Sequence, residues 1–214
     1  MTDLSGRHVL VVGGTGTIGT AVVAAASNAG ARVTATGLFE HEIAGRDGDT
    51  ASWSTLDITD QGAVLSFVDE LDDVTDIVSA AAARPFAGLM DMADDDLTAL
   101  VDSKLWGSFW LGRAAGRSLP DDGTLTYISG LLADYPDAAA PVAAVSAAVE
   151  SLAAGLAVEL APRRVNCVSP EALGSTGRGT HAGSGDDVAA LIVALITNPW
   201  MSGSIVPIHG AAKP

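Results

Sequence analysis

Val9-Leu10-Val11-Val12-Gly13-Gly14-Thr15-Gly16-Thr17-Ile18-Gly19 carries four aliphatic residues straight into a glycine-rich turn, and the apolar-rich stretch Ala21 to Ala29 follows at once. A short aliphatic run bounded by glycine reads as a buried strand, and the segment after it as the start of a helix. Gly14, Gly16 and Gly19 satisfy G-x-G-x-x-G. In that pattern the first glycine permits a tight turn, the second lets backbone approach a pyrophosphate, and the third lets helix pack closely on strand. The helix N-terminus adds free N–H groups and the positive end of a dipole. Gly13, Gly14, Thr15, Gly16, Thr17, Ile18 and Gly19 are therefore a candidate dinucleotide site. The alternative is a tight turn in an α/β protein without a ligand.

Strand-like runs recur outward from this point at His8 to Val12, Ala31 to Thr36, Ser52 to Leu56, Val74 to Ser79, Gly123 to Ser129, Arg164 to Val168 and Ser204 to Ile208. Helical stretches separate most of them, which implies a parallel sheet covered on both faces, with ligands at the strand C-terminal ends. The expected fold is a Rossmann-type doubly wound parallel sheet of about seven strands in a three-layer α/β/α arrangement, and residues 1–214 are expected to form a single domain. Gly174 to Gly185, rich in Gly, Ser and Thr, reads as a mobile loop before a helix over Asp186 to Thr197.

The formal charge of −15 argues against nucleic acid or an anionic membrane as partner, because the summed field repels phosphate. Any bound phosphate has to be held by local geometry. Cys167 is the only cysteine, so an intrachain disulfide is impossible, no metal site is expected, and a small buried hydrophobe is the simpler reading of the residue. The N-terminus lacks the basic start and apolar core of a signal peptide, and a soluble cytoplasmic protein is expected. Within Ala93 to Arg117, Leu97, Leu100, Val101, Leu105 and Trp106 trace an apolar stripe that includes Lys104, one of two lysines. An inward lysine is a functional candidate, and the alternative is a buried stem with its ammonium in water.

From Gly13 to Gly210 these features resemble the short-chain dehydrogenase/reductase family. Asp57-Ile58-Thr59 resembles the stretch whose Asp contacts adenine in that family, the alternative being a helix-start cap. Ser79-Ala80-Ala81-Ala82 resembles the family's Asn-Asn-Ala-Gly over the cofactor, and Ala80 and Ala81 join Asp57 and Ile58 as expected cofactor contacts. Ile128-Ser129 resembles the strand end that presents the catalytic serine. Arg164-Val165-Asn166-Cys167-Val168-Ser169-Pro170 is similar to the family's Arg-Val-Asn-x-Val-x-Pro-Gly, with Glu171 replacing the glycine. Gly203 and Ile208-His209-Gly210 fit its closing strand. By resemblance the protein is an NAD(P)(H)-dependent oxidoreductase acting on a small carbonyl or hydroxyl compound. Pairing of its two long helices, Ala93 to Arg117 and Ala138 to Ala161, implies a homodimer or homotetramer.

The resemblance breaks in the catalytic core. Ser146-Ala147-Ala148-Val149-Glu150-Ser151-Leu152 aligns with the family's Lys-Ala-Ala-x-x-x-Leu, which puts Ser146 in the lysine position and Val142 in the tyrosine position. Ser129 stands thirteen residues before Val142, the family's serine-to-tyrosine spacing. Lys104 occupies the family's helix asparagine and could return the charge lost at Ser146. Catalytic candidates are Ser129 as orienting donor, Lys104, and Tyr135 as proton donor, with His181 as another donor. Glu40 comes late after the second strand, and no other acid there reaches the ribose position, so NADP(H) is slightly preferred over NAD(H); Arg46 could approach its phosphate. Arg178 and His181 are candidates for an anionic substrate. Two further readings remain open: a non-redox cyclase, dehydratase or isomerase on the same scaffold, and a catalytically inactive cofactor-binding protein.

Overall fold

In the computed structural model, which describes residues 3–46, 50–83, 85–130, 139–174 and 182–210, all seven expected strands enter one sheet. They are β1 (His8–Val12), β2 (Arg32–Gly37), β3 (Ser52–Thr55), β4 (Asp76–Ser79), β5 (Thr124–Ile128), β6 (Arg164–Pro170) and β7 (Ile205–Ile208). Their spatial order is β3-β2-β1-β4-β5-β6-β7, and every pairing is parallel. The chain winds outward from β1 to β3, then crosses to β4 and winds the other way. A crevice opens where the two directions part, outside the C-terminal ends of β1 and β4. Val12 pairs with Thr36 on one side and Ser79 on the other, so the glycine turn leaves the sheet between those strand ends.

The helices are α1 (Thr17–Asn28), α2 (Glu40–Ile43), α3 (Gln61–Glu70), α4 (Asp94–Leu100), α5 (Gly107–Ser118), α6 (Ala140–Glu159) and α7 (Gly185–Thr197). They explain why β1 is aliphatic at successive positions rather than at alternate ones. Val9 and Val11 pack in a core with α1 and α7, whereas Leu10 and Val12 pack in a second core with α3, α5 and α6. A strand covered on both faces has no side free for polar residues. α6 is apolar all round and 20 residues long, and it lays Pro141, Ala143, Val145, Ser146, Val149 and Ala153 into the interior.

The long helix expected over Ala93 to Arg117 is three pieces. Between α4 and α5 the chain widens into a π-helical stretch, Val101–Trp106. Ser103 Oγ donates to Ala99 O and Ser108 Oγ to Lys104 O, both at 2.6 Å, so hydroxyls take up one carbonyl before the stretch and one within it. Leu97, Val101 and Leu105 stand four residues apart at each step, as in an ordinary α-helix, so the spacing gives no sign of this widening.

Candidate functional site

The glycine turn is built first by its own packing. Gly13 has φ of 87°, and a Cβ there would come 2.5 Å from Ala81 N and 2.6 Å from Ala81 Cα. A Cβ on Gly14 would come 2.9 Å from Ala35 Cβ and 3.1 Å from the Trp53 ring, and one on Gly19 would overlap Gly13 O. These three glycines therefore let β1, β2, β4 and α1 close on one another. Gly16 has a different role as N-cap of α1. It offers no side-chain cap, and no acid stands in the first turn, so no side chain of that turn competes with an anion for its N–H groups.

A cavity of about 610 Å³ opens beside it. Gly13, Thr15 and Gly16 form one wall, Gly37, Leu38 and Glu42 a second, Leu56 to Thr59 a third, and Ala80 to Ala83 with Asp95, Thr98, Ala99, Asp102 and Ser103 the last. Of the expected cofactor contacts, Gly13, Thr15, Gly16, Asp57, Ile58, Ala80 and Ala81 line it. Gly14, Thr17, Ile18 and Gly19 do not: Ile18 is turned into the core, Gly14 and Gly19 are packed by the chain itself, and the Thr17 side chain faces solvent. Asp57 Oδ1 accepts from Thr59 N at 2.9 Å and Thr59 Oγ1 at 2.7 Å, a local turn that holds the carboxylate at the cavity mouth. It is not a helix cap, since Asp60 Oδ1 caps α3 through Ala63 N at 2.9 Å. Ser103 Oγ also accepts from Ala83 N at 2.9 Å, which ties the alanine run to the π-helical stretch. Glu42, Asp57, Asp95 and Asp102 bring four carboxylates to the wall, and no lysine or arginine is among its described residues.

The end of β5 is arranged differently. Ser129 does not line the cavity; it is 6 % exposed, and its Oγ donates to Glu150 Oε1 at 2.6 Å and lies 3.4 Å from Val168 O. Ser169 Oγ donates to the same Glu150 oxygen at 2.8 Å. Ser129, expected as an orienting donor to substrate, has its proton engaged here by the Glu150 carboxylate. Successive residues leave a strand in opposite directions, and it is Gly130 whose Cβ would lie 3.6 Å from Ser146 Oγ. Ser146 is fully buried and its hydroxyl has no hydrogen-bond partner; Val142 is half-buried. Lys104 does turn inward, and its Nζ donates to the backbone oxygen of Ser129 at 2.8 Å. Tyr135, Arg178 and His181, with most of the loop Gly174 to Gly185, lie outside the described residues.

Tyr127, the other tyrosine, is no substitute acid. It is fully buried, its hydroxyl donates to Ser108 O at 2.7 Å, and burial pushes its titration far above the ordinary phenol range. Burial likewise pushes the Cys167 thiol up to about 11, as suits a packed hydrophobe rather than a nucleophile. Two acids escaped the sequence reading. Glu150 carries a signal, being the one charge in the middle of an apolar helix. Glu42 carries none, because its reach depends on the short α2.

With this geometry in view, comparisons with known proteins agree. Residues 13–208 match the family model described as Enoyl-(Acyl carrier protein) reductase. Sorbose reductase sou1 of Schizosaccharomyces pombe is 33 % identical over 192 residues, covering 79 % of this chain and 74 % of that protein. The cyclic-di-GMP-binding biofilm dispersal mediator protein of Escherichia coli is 28 % identical over 178 residues, with the same coverage. Among solved structures, BdcA in complex with NADPH superposes with a TM-score of 0.90 at 23 % identity, covering 100 % of this chain and 98 % of that one. A short-chain dehydrogenase/reductase from Brucella melitensis superposes with a TM-score of 0.88 at 20 % identity, covering 96 % of each chain. The glycine turn, the switch-point cavity and these likenesses together show that the chain belongs to the short-chain dehydrogenase/reductase family.

Proposed function

We propose that the protein binds a nicotinamide dinucleotide in the 610 Å³ cavity and works as an oxidoreductase on a small carbonyl or hydroxyl compound, without the Tyr-Lys pair of its family. The observation that carries this reading is the uncapped N-terminus of α1 at Gly16, set beside a wall of Gly13 and Ala80 to Ala83 where only small residues leave room for a flat ring. The residues present fit the group: the α1 N–H groups would take the pyrophosphate and Asp57 the adenine edge. When bound, the nicotinamide would supply or accept hydride.

Lys104 is the positive group that this chain sets at the end of β5, and it is our candidate for balancing the charge on the reacting oxygen. Ser129 acts through position rather than as a donor, by presenting its carbonyl to the lysine at 2.8 Å. Tyr135 is proposed as the proton donor. A specific observation favours a second reading, cofactor binding without turnover: Ser129 donates to Glu150, and Val142 and Ser146 carry no acid. Exposed Trp106 and Phe109 on or beside α5, and Val158 on α6, give that helix pair an apolar outer face that supports assembly as a homodimer or homotetramer. A single-domain, cytoplasmic protein is part of the same proposal.

Calorimetric titration with NADH and NADPH tests the binding, and loss of NADH absorbance with 2,3-butanedione as probe tests the reaction. Binding in the micromolar range with slow turnover is expected, and Lys104→Met should lower turnover by roughly tenfold or more. Failure to bind either cofactor refutes the proposal. Tight binding with no turnover on a panel of carbonyl compounds selects the second reading.

A further inference from the structure

β2 ends at Gly37 beside the glycine turn, where Gly14 N donates to Thr36 O at 2.7 Å. In sheets of this kind the adenosine ribose falls next to the second strand's end, where a carboxylate accepts from the 2′-hydroxyl or an arginine accommodates a 2′-phosphate. Gly37, Leu38 and Phe39 are uncharged, and their side chains decide nothing. α2 turns the chain back, however, and Glu42 Oε2 accepts from Leu38 N at 3.0 Å and Phe39 N at 3.2 Å. Gly37 makes room for it, since a Cβ there would lie 3.3 Å from that same oxygen. Both bonds fall on Oε2, which leaves Oε1 to accept from a hydroxyl.

We infer that Glu42 makes this site selective for NAD(H) over NADP(H), an inference that rests on the dinucleotide reading of the cavity. The pair of backbone N–H groups at the end of β2 would otherwise serve a phosphate, and a carboxylate already holds them. A 2′-phosphate would stand against Glu42 on a wall that also carries Asp57, Asp95 and Asp102. Arg46 does not relieve this charge. Its Nε donates to Glu42 O at 2.7 Å and its guanidinium lies over the Trp53 ring at 5.2 Å, outside the cavity wall. The slight preference for NADP(H) expected from the sequence rests on the absence of an acid after the second strand, and on this inference Glu42 would supply that acid from four residues beyond Leu38.

Calorimetry on the full chain with NADH and NADPH, repeated on Glu42→Gln, tests the inference. The wild type should bind NADH at least about tenfold more tightly, and the near-isosteric Gln should bring the two within about threefold by removing the repulsion. A salt series on the wild type gives a second measurement that needs no variant. The NADH preference should shrink between about 0.05 M and about 1 M NaCl, as the phosphate–carboxylate repulsion is screened. A wild-type preference for NADPH, equal affinities, a preference unchanged in Glu42→Gln, or one that salt does not move overturns the inference and leaves dinucleotide binding standing. Binding of neither cofactor overturns both.

Discussion

Around the ends of β1 and β4, small residues stand wherever backbone has to pass close, and the polar groups of the turn are left facing a cavity. At the end of β5, only one strand further along the sheet, the reverse holds. Ser129 and Ser169 are both satisfied by one carboxylate oxygen of Glu150, Val142 is aliphatic, and the Ser146 hydroxyl is enclosed without a partner. The first region keeps the shape a ligand needs; the second is organised by its own internal bonds. A shared fold therefore does not imply a shared reaction, since binding geometry and proton chemistry are carried by different strand ends.

The largest expected effect comes from Gly13→Ala, which forces a side chain into positive φ and onto the Ala81 backbone. Destabilisation of roughly 3 kcal/mol and loss of measurable NADH binding are expected, read by thermal unfolding and calorimetry. Wild-type affinity in this variant would break the comparison on the cofactor side. Glu150→Ala should have a smaller effect of another kind. It strands the hydroxyls of Ser129 and Ser169, costing about 1–3 kcal/mol in urea unfolding, while NADH affinity stays within about twofold. A folded Glu150→Ala protein with sharply weakened NADH binding would show that the β5 end serves the cofactor after all. Ser146→Ala is the smallest change and has the opposite sign. Removing an unpartnered buried hydroxyl should raise stability by about 1 kcal/mol and leave binding untouched. A loss of stability would mean that the hydroxyl holds a bridging water and that this position keeps a polar duty.

The comparison also separates what was readable in the chain from what was not. Every strand could be located, because runs such as His8 to Val12 and Arg164 to Val168 are aliphatic over short spans bounded by turns. The cavity wall beside the glycine turn was legible from Gly13 to Gly19, and its glycines divide as the pattern implies, with Gly14 and Gly19 packed against the chain and Gly16 lining the cavity. The serine at the end of β5 could be counted but not oriented. Whether Ser129 or Gly130 faces Ser146 depends on where the strand stops, and a shift of one residue reverses the direction.

The sequence by itself determined the elements and their order and the glycine turn, because these follow from local sterics, periodicity and residue identity. Only the tertiary structure decided which groups meet. Glu42 reaches the end of β2 through the single turn of α2, Glu150 meets Ser129 and Ser169 across 21 and 19 residues, and Lys104 finds the Ser129 carbonyl from a π-helical stretch. Such contacts depend on how helix rotation, strand ends and sheet order combine in space. A spacing along the chain records none of the three.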